Sequence, residues 1–141
     1  MSKSAVYLIP CENYNTETVY QSLKTGLELM GGITACISPE ESVLLKPNLL
    51  KGADPEKNIT THPAVLEAVI RCLQDEQFKN VKCGDGCGIG SGKTSKAMEA
   101  AGMKSVLDKY GIEIRNQDRS VPFNLFNSQQ LSYFPEAVLF S

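Results

Sequence analysis

Strands alternating with helices predict an α/β fold for this 141-residue chain. Three observations carry the prediction. Short apolar runs recur at SAVYLIP (4–10), SVLLKPNLL (42–50), NVKCGD (80–85) and GIEIRNQD (111–118). Between them lie stretches whose apolar residues repeat at helical spacing. Glycine and proline punctuate the junctions. The expected architecture has three layers: a mostly parallel open sheet with helices on both faces and right-handed crossovers, truncated at its C-terminus. The length fits a single α/β domain spanning 1–141, the N-terminal portion of a longer architecture.

The first strand is expected at 4–10, ending at Pro10. Val19, Leu23, Leu27 and Met30 then share one face of a helix from Glu17 to Met30, with Thr16 or Thr18 as its cap and Gly31-Gly32 as its stop. Ser38-Pro39-Glu40 is a turn. The run 42–50 is interrupted only by Lys46-Pro47-Asn48, as expected of a strand buried on both faces. Residues 51–59 form a polar loop. A second helix begins at Pro63, where a missing N–H costs nothing, and runs to Gln74 with Leu66, Val69, Ile70 and Leu73 on one face. The strand 80–85 leads through a glycine loop to helices at 94–101 and 104–110 and to the strand at 111–118. VPFNLF and AVLFS add further β segments.

Composition narrows the function classes. Hydrophobic residues make up 42% and charged residues 21%, enough for a packed core rather than disorder. A net charge of −2 gives no basic footprint, so nucleic acid is not an expected partner. No apolar run approaches the ~18 residues of a membrane span, and the N-terminal apolar stretch is too short for a signal peptide. No membrane association and a cytoplasmic location are the expectation. The cysteines at 11, 36, 72, 83 and 87 form no C-x-x-C pair, and His62 is the lone histidine. Zinc-type spacing is absent, and a C-x-x-x-C-x-x-C signature starting at Cys83 and Cys87 meets Gly90 where its third cysteine belongs. No metal site and no cluster are expected on this chain; reduced thiols in a core are.

Residues 84–94, GDGCGIGSGKT, come close to a phosphate-binding loop and miss it. G-x-x-x-x-G-K-[ST] counted back from Gly92-Lys93-Thr94 requires glycine at 87, where Cys87 stands. A dinucleotide G-x-G-x-x-G fails in each register, at Ile89, Ser91 and Lys93. The order strand, glycine loop, helix nevertheless aims backbone N–H groups at an anion. Gly86, Gly88 and Gly90 tolerate positive φ, Lys93 supplies charge, and Thr94 caps the helix. The alternative is a flexible turn. Asp85 sits where open α/β sheets place ligands, and either serves a ligand or accepts N–H groups of its own turn. Lys46 puts a charge into an apolar strand; it reaches Asp85, a ligand or solvent. Asn48, Thr61 and His62 flank the same edge, with Thr61 an alternative simple cap for the second helix.

Lys46-Pro47-Asn48, Thr61-His62-Pro63 opening a helix, and Gly84-Asp85 before a glycine loop together give a resemblance over residues 4–141. The chain resembles the N-terminal part of the domain-of-unknown-function 362 family. That resemblance implies longer relatives carrying a ferredoxin-like region with 4Fe-4S clusters, and a ferredoxin-like domain or subunit as partner. The functional expectation is a module of such an iron–sulfur-associated protein, binding a small anionic ligand through Lys46, Asn48, Thr61, His62, Asp85, Gly86, Gly88, Gly90, Lys93 and Thr94. Catalysis is not specified. A degenerate P-loop nucleotide-binding enzyme, or a non-catalytic domain acting only with a missing C-terminal partner, are the alternatives.

Overall fold

A computed structural model describes residues 5–86, 94–115, 120–124 and 136–140. Helix α1 (Thr16–Leu29) leads to β1 (Val43–Leu45), α2 (Pro63–Asp75), β2 (Val81–Cys83), α3 (Thr94–Ala100), α4 (Met103–Tyr110) and β3 (Glu113–Ile114). Single 3-10 turns lie at Ile33–Ala35 and Pro55–Lys57. The three strands form a parallel sheet in the order β1-β2-β3, with Leu45 opposite Cys83 and Cys83 opposite Ile114. The class is α/β, as the alternating pattern predicts. Strands β4 (Ser120–Asn124) and β5 (Glu136–Phe140) pair antiparallel as a separate two-stranded sheet.

Local chemistry sets the boundaries. α1 is capped by Asn15, whose side chain accepts from the N–H groups of Glu17 and Thr18, rather than by Thr16 or Thr18. Asparagine's short amide reaches two free donors at once, and the helix stops at Gly31 and Gly32, both at positive φ. α4 ends the same way at Gly111, φ 65°.

Parallel strands need crossovers, and α2 and α4 supply them on one face, packed against each other. Leu49, Leu66, Ile70, Cys83, Met98 and Leu107 fill the core between these helices and the sheet. α1 packs on α2 through Val19, Tyr20, Ala64, Ala68 and Cys72. Polar ties reinforce both seams. The Tyr20 hydroxyl donates to Asp75, the Arg71 guanidinium stacks 3.7 Å over the Tyr20 ring, and Lys109 reaches Glu67 at 2.6 Å.

Two expectations are corrected. Residues 5–10 form no strand: among the described residues no strand pairs with the segment. The strand expected at 42–50 is only three residues long and not buried on both faces. Leu44 is 53% exposed on the face that also carries the Lys82–Glu113 ion pair, at 3.4 Å. The ladder stops at Leu45 because Pro47 offers no N–H and the following chain turns to other partners.

Candidate functional site

The register brings the ends of all three strands to one edge. Gly84 N–H donates to the Leu45 carbonyl at 2.9 Å, and Arg115 N–H donates to the Cys83 carbonyl at 2.7 Å. Lys46, Gly84-Asp85 and Arg115 therefore leave the sheet side by side at its carboxyl end, where open α/β sheets take their ligands.

Asp85 is the centre of this edge. Its side chain is 8% exposed, and its two oxygens face different partners. Oδ1 lies 2.8 Å from the Lys46 ammonium, while Oδ2 accepts the Leu49 N–H at 2.9 Å. Thr94, fully buried at the start of α3, donates from Oγ1 to the Asp85 carbonyl at 3.4 Å. The carboxylate thus ties the chain after β1 to the chain after β2 and leaves no buried charge without a counter-ion. Lys46 remains 66% exposed, with one ammonium proton on Asp85 and the others toward solvent.

Asn48 and Thr61 form a second clasp. The Asn48 N–H donates to Thr61 Oγ1 at 2.9 Å, and the Thr61 N–H donates to the Asn48 carbonyl at 3.0 Å. Thr61 therefore does not cap α2. His62 does, its Nδ1 accepting the Ala64 N–H at 3.1 Å. An acceptor Nδ1 places the ring proton on Nε2, which is left as a donor. The ring stacks on Tyr14 with centroids 3.9 Å apart and planes 16° from parallel. Gly86 is exposed just after Asp85.

Lys46, Asn48, Thr61, His62, Asp85, Gly86 and Thr94 are thereby placed along two linked clasps at the sheet edge and the start of α2. Gly88, Gly90 and Lys93 lie outside the described residues. Sequence reasoning missed three participants. The Leu49 N–H carries no side-chain signal. Tyr14 precedes its helix without any motif. Arg115 had a signal: a charge closing the apolar run 111–115.

Thiol chemistry does not belong to this edge. Burial, with the Asp85 charge second, pushes the Cys83 thiol up to about 12. Cys72 is also raised, by burial first. Cys11 and Cys36 are exposed rather than in a core, and all four described cysteines are free. Among the described residues no group of three or more His, Cys, Asp or Glu is arranged to hold a metal ion.

A short parallel sheet with an ion-paired carboxyl edge defines the class: an α/β domain whose candidate site lies at the ends of its strands. The family model described as Domain of unknown function (DUF362) matches residues 43–139, and the chain belongs to that family. A relative in Synechocystis sp., thylakoid-associated protein sll1697, is 36% identical over 89 residues, covering 63% of this chain and 27% of the relative. The chain therefore spans about a quarter of that relative's length. No solved structure matches. The matched region contains Lys46, Asn48, Thr61, His62 and Asp85. No described helix is long and apolar enough to cross a membrane.

Proposed function

We propose that this DUF362 domain binds a small anion at the carboxyl edge of its sheet, with Lys46 as the principal cation. The observation that supports this reading is the Lys46–Asp85 pair. A buried carboxylate fixes the ammonium at the strand ends while most of the lysine side chain stays open to solvent. Arg115, half-exposed just past β3, follows the same edge, with its guanidinium 3.8 Å from the Glu113 carboxylate. The His62 Nε2–H and the exposed backbone at Gly86 offer neutral donors. Lys93 follows in the sequence.

In this reading the domain is one module of an iron–sulfur-associated protein. The clusters belong to a ferredoxin-like region or subunit of the longer relatives, and this chain holds none, since its cysteine spacing gives no cluster motif. A cytoplasmic setting is part of the reading. So is the absence of ATP turnover, because Cys87 stands where a phosphate-binding loop needs glycine.

Thermal shift and calorimetric titration with phosphate, sulfate, citrate and nucleotides at constant ionic strength test the site. Ligand at about 100 times Kd adds roughly 2.7 kcal/mol to folding stability. Lys46→Ala removes most of a specific shift, and Lys79→Ala, on the exposed turn after α2, leaves it intact. Equal shifts in both variants, or none with any anion, would reduce the Lys46–Asp85 pair to a structural tie.

A further inference from the structure

A second cavity lies away from the ion-paired edge. Residues 5–14 lie beside α1, and a groove of about 680 Å³ opens between them. Tyr7, Ile9 and Tyr14 form one wall; Leu23, Leu27 and Val65 form the other. This volume falls in the usual range of roughly 300–1,000 Å³ for small-molecule sites, and its lining is mainly apolar, as theirs is.

The wall contributed by residues 5–14 is held by little. Among the described residues the backbone groups of 5–9 make no hydrogen bond. The segment is anchored by Ser22, whose hydroxyl donates to the Pro10 carbonyl at 3.0 Å, by Ile9 pressed on Gly26, and at its far end by Tyr14 stacked on His62. A β-carbon at Gly26 would stand 3.3 Å from Ile9 Cγ1, so glycine here is what lets the segment approach. Such a wall adjusts to the thickness of an occupant.

Charge selects the occupant. Besides the hydroxyls of Tyr7 and Tyr14, the polar side chains in the lining are Cys11, Glu12, Asn13 and Ser22, and among the described residues no basic side chain lines the groove to offset the ionisable carboxylate of Glu12. An anion is disfavoured there; a neutral or cationic head is not. The aromatic ring of Tyr7 also favours a cation, while one face of Tyr14 is taken by His62. We infer that this groove binds an amphiphile with an apolar body and a neutral or amine head, a ligand different from that of the anion edge.

Octylamine, octanol and octanoate, each below its micellar concentration, are the probes, titrated by calorimetry against the full chain. Octylamine and octanol bind, and octanoate binds at least about threefold more weakly than octylamine, the size expected of an exposed charge interaction. Ile9→Gln lowers affinity for both binders at least tenfold. Met30→Gln, at the exposed rim, weakens both by a smaller factor with α1 and α2 intact by circular dichroism. Glu12→Gln brings octylamine down to the affinity of octanol. Only binding lost in Ile9→Gln counts, which separates octanoate held at Lys46. Octanoate equal to octylamine in that fraction, or affinities untouched by both wall variants, overturns the inference. So does a concentration-dependent dimer abolished by Ile9→Gln, which would make a second copy the occupant.

Discussion

The Lys46 ammonium and Asp85 carboxylate meet at 2.8 Å across the ends of β1 and β2, one largely exposed and the other almost fully buried. The asymmetry decides what each residue does. Asp85 also takes the N–H of Leu49, a core residue, so its removal leaves a buried donor unpaired. Removing Lys46 leaves a carboxylate that still has one hydrogen bond and some access to water. Asp85→Ala is therefore expected to cost about 2–3 kcal/mol, near the top of the range for an orphaned buried partner. Lys46→Ala costs about 1–2 kcal/mol, between exposed and buried ion pairs. Urea denaturation of both variants checks the order. A larger loss for Lys46→Ala would mean the ammonium, not the carboxylate, organises the edge.

Thiol reactivity separates the cysteines by burial. With Cys83 pushed up to about 12, roughly one molecule in 10,000 carries its thiolate at pH 8, and the side chain is inaccessible as well. Cys72 is raised too. In a Cys87→Ser background, an aromatic disulfide reagent is expected to titrate Cys11 and Cys36 quickly. Cys72 and Cys83 should follow only at the rate of global opening, and urea should merge the two phases. A Cys83 that labels as fast as Cys11 would contradict the packing of β2.

Much of this was legible in the sequence because it depends on local pattern. The spacing in 63–74 places Leu66, Ile70 and Leu73 in the core, and Gly31-Gly32 ends α1 as expected. The family motifs were legible as residues, and Asp85 was already a candidate partner for Lys46. Pairing and exposure were not. Residues 5–10 have a strand's composition, yet a strand exists only where another offers its edge, and no local pattern reports that. Leu44 reads as core by hydropathy and is half-exposed because no described residue covers it on that face of the sheet. The exchange of roles between Thr61 and His62 depended on Asn48 arriving from β1, a contact 13 residues distant.

Acid should weaken the seams around α2. The Tyr20 hydroxyl, donating to Asp75, is the main cause holding that carboxyl below its ordinary range; burial opposes it, and Lys24 and Arg71 add to the lowering. Glu17 is lowered by Gln21 first and by Arg71. At Glu67 burial pushes upward, but the donors Lys109 and Tyr110 outweigh it and the net shift is down. Carboxyls depressed by folding contribute stability above their unfolded pKa, near 4, and lose it as pH falls through the lower folded value. The urea midpoint is expected to be level from about pH 7 to 5 and to drop below about pH 4. Tyr20→Phe should flatten that drop by returning Asp75 toward its ordinary range. An unchanged acid slope in Tyr20→Phe would show that the hydroxyl does not govern Asp75.

Gly84 is the position where one methyl group should do the most harm. A β-carbon there would lie 2.6 Å from the Arg115 carbonyl oxygen and 3.1 Å from its β-carbon. The oxygen is backbone, one residue's rotation away from the Arg115 N–H bonded to Cys83, so no flexible side chain can give way. Relief requires β2 and β3 to part, which moves Asp85 away from Lys46 and Leu49 at the same time. The substitution is expected to cost about 3 kcal/mol, the upper part of the overpacking range. Gly111→Ala provides the comparison. Its β-carbon meets nothing within 4 Å, but φ is +65°, so the cost is conformational and about 1 kcal/mol. Both are measured by urea denaturation, with Cys83 labelling as the local readout. Gly84→Ala should expose Cys83 before global unfolding, and Gly111→Ala should not. Equal losses in the two variants, with Cys83 protected in both, would show that the ends of β2 and β3 are not packed as closely as the Gly84–Arg115 distance requires.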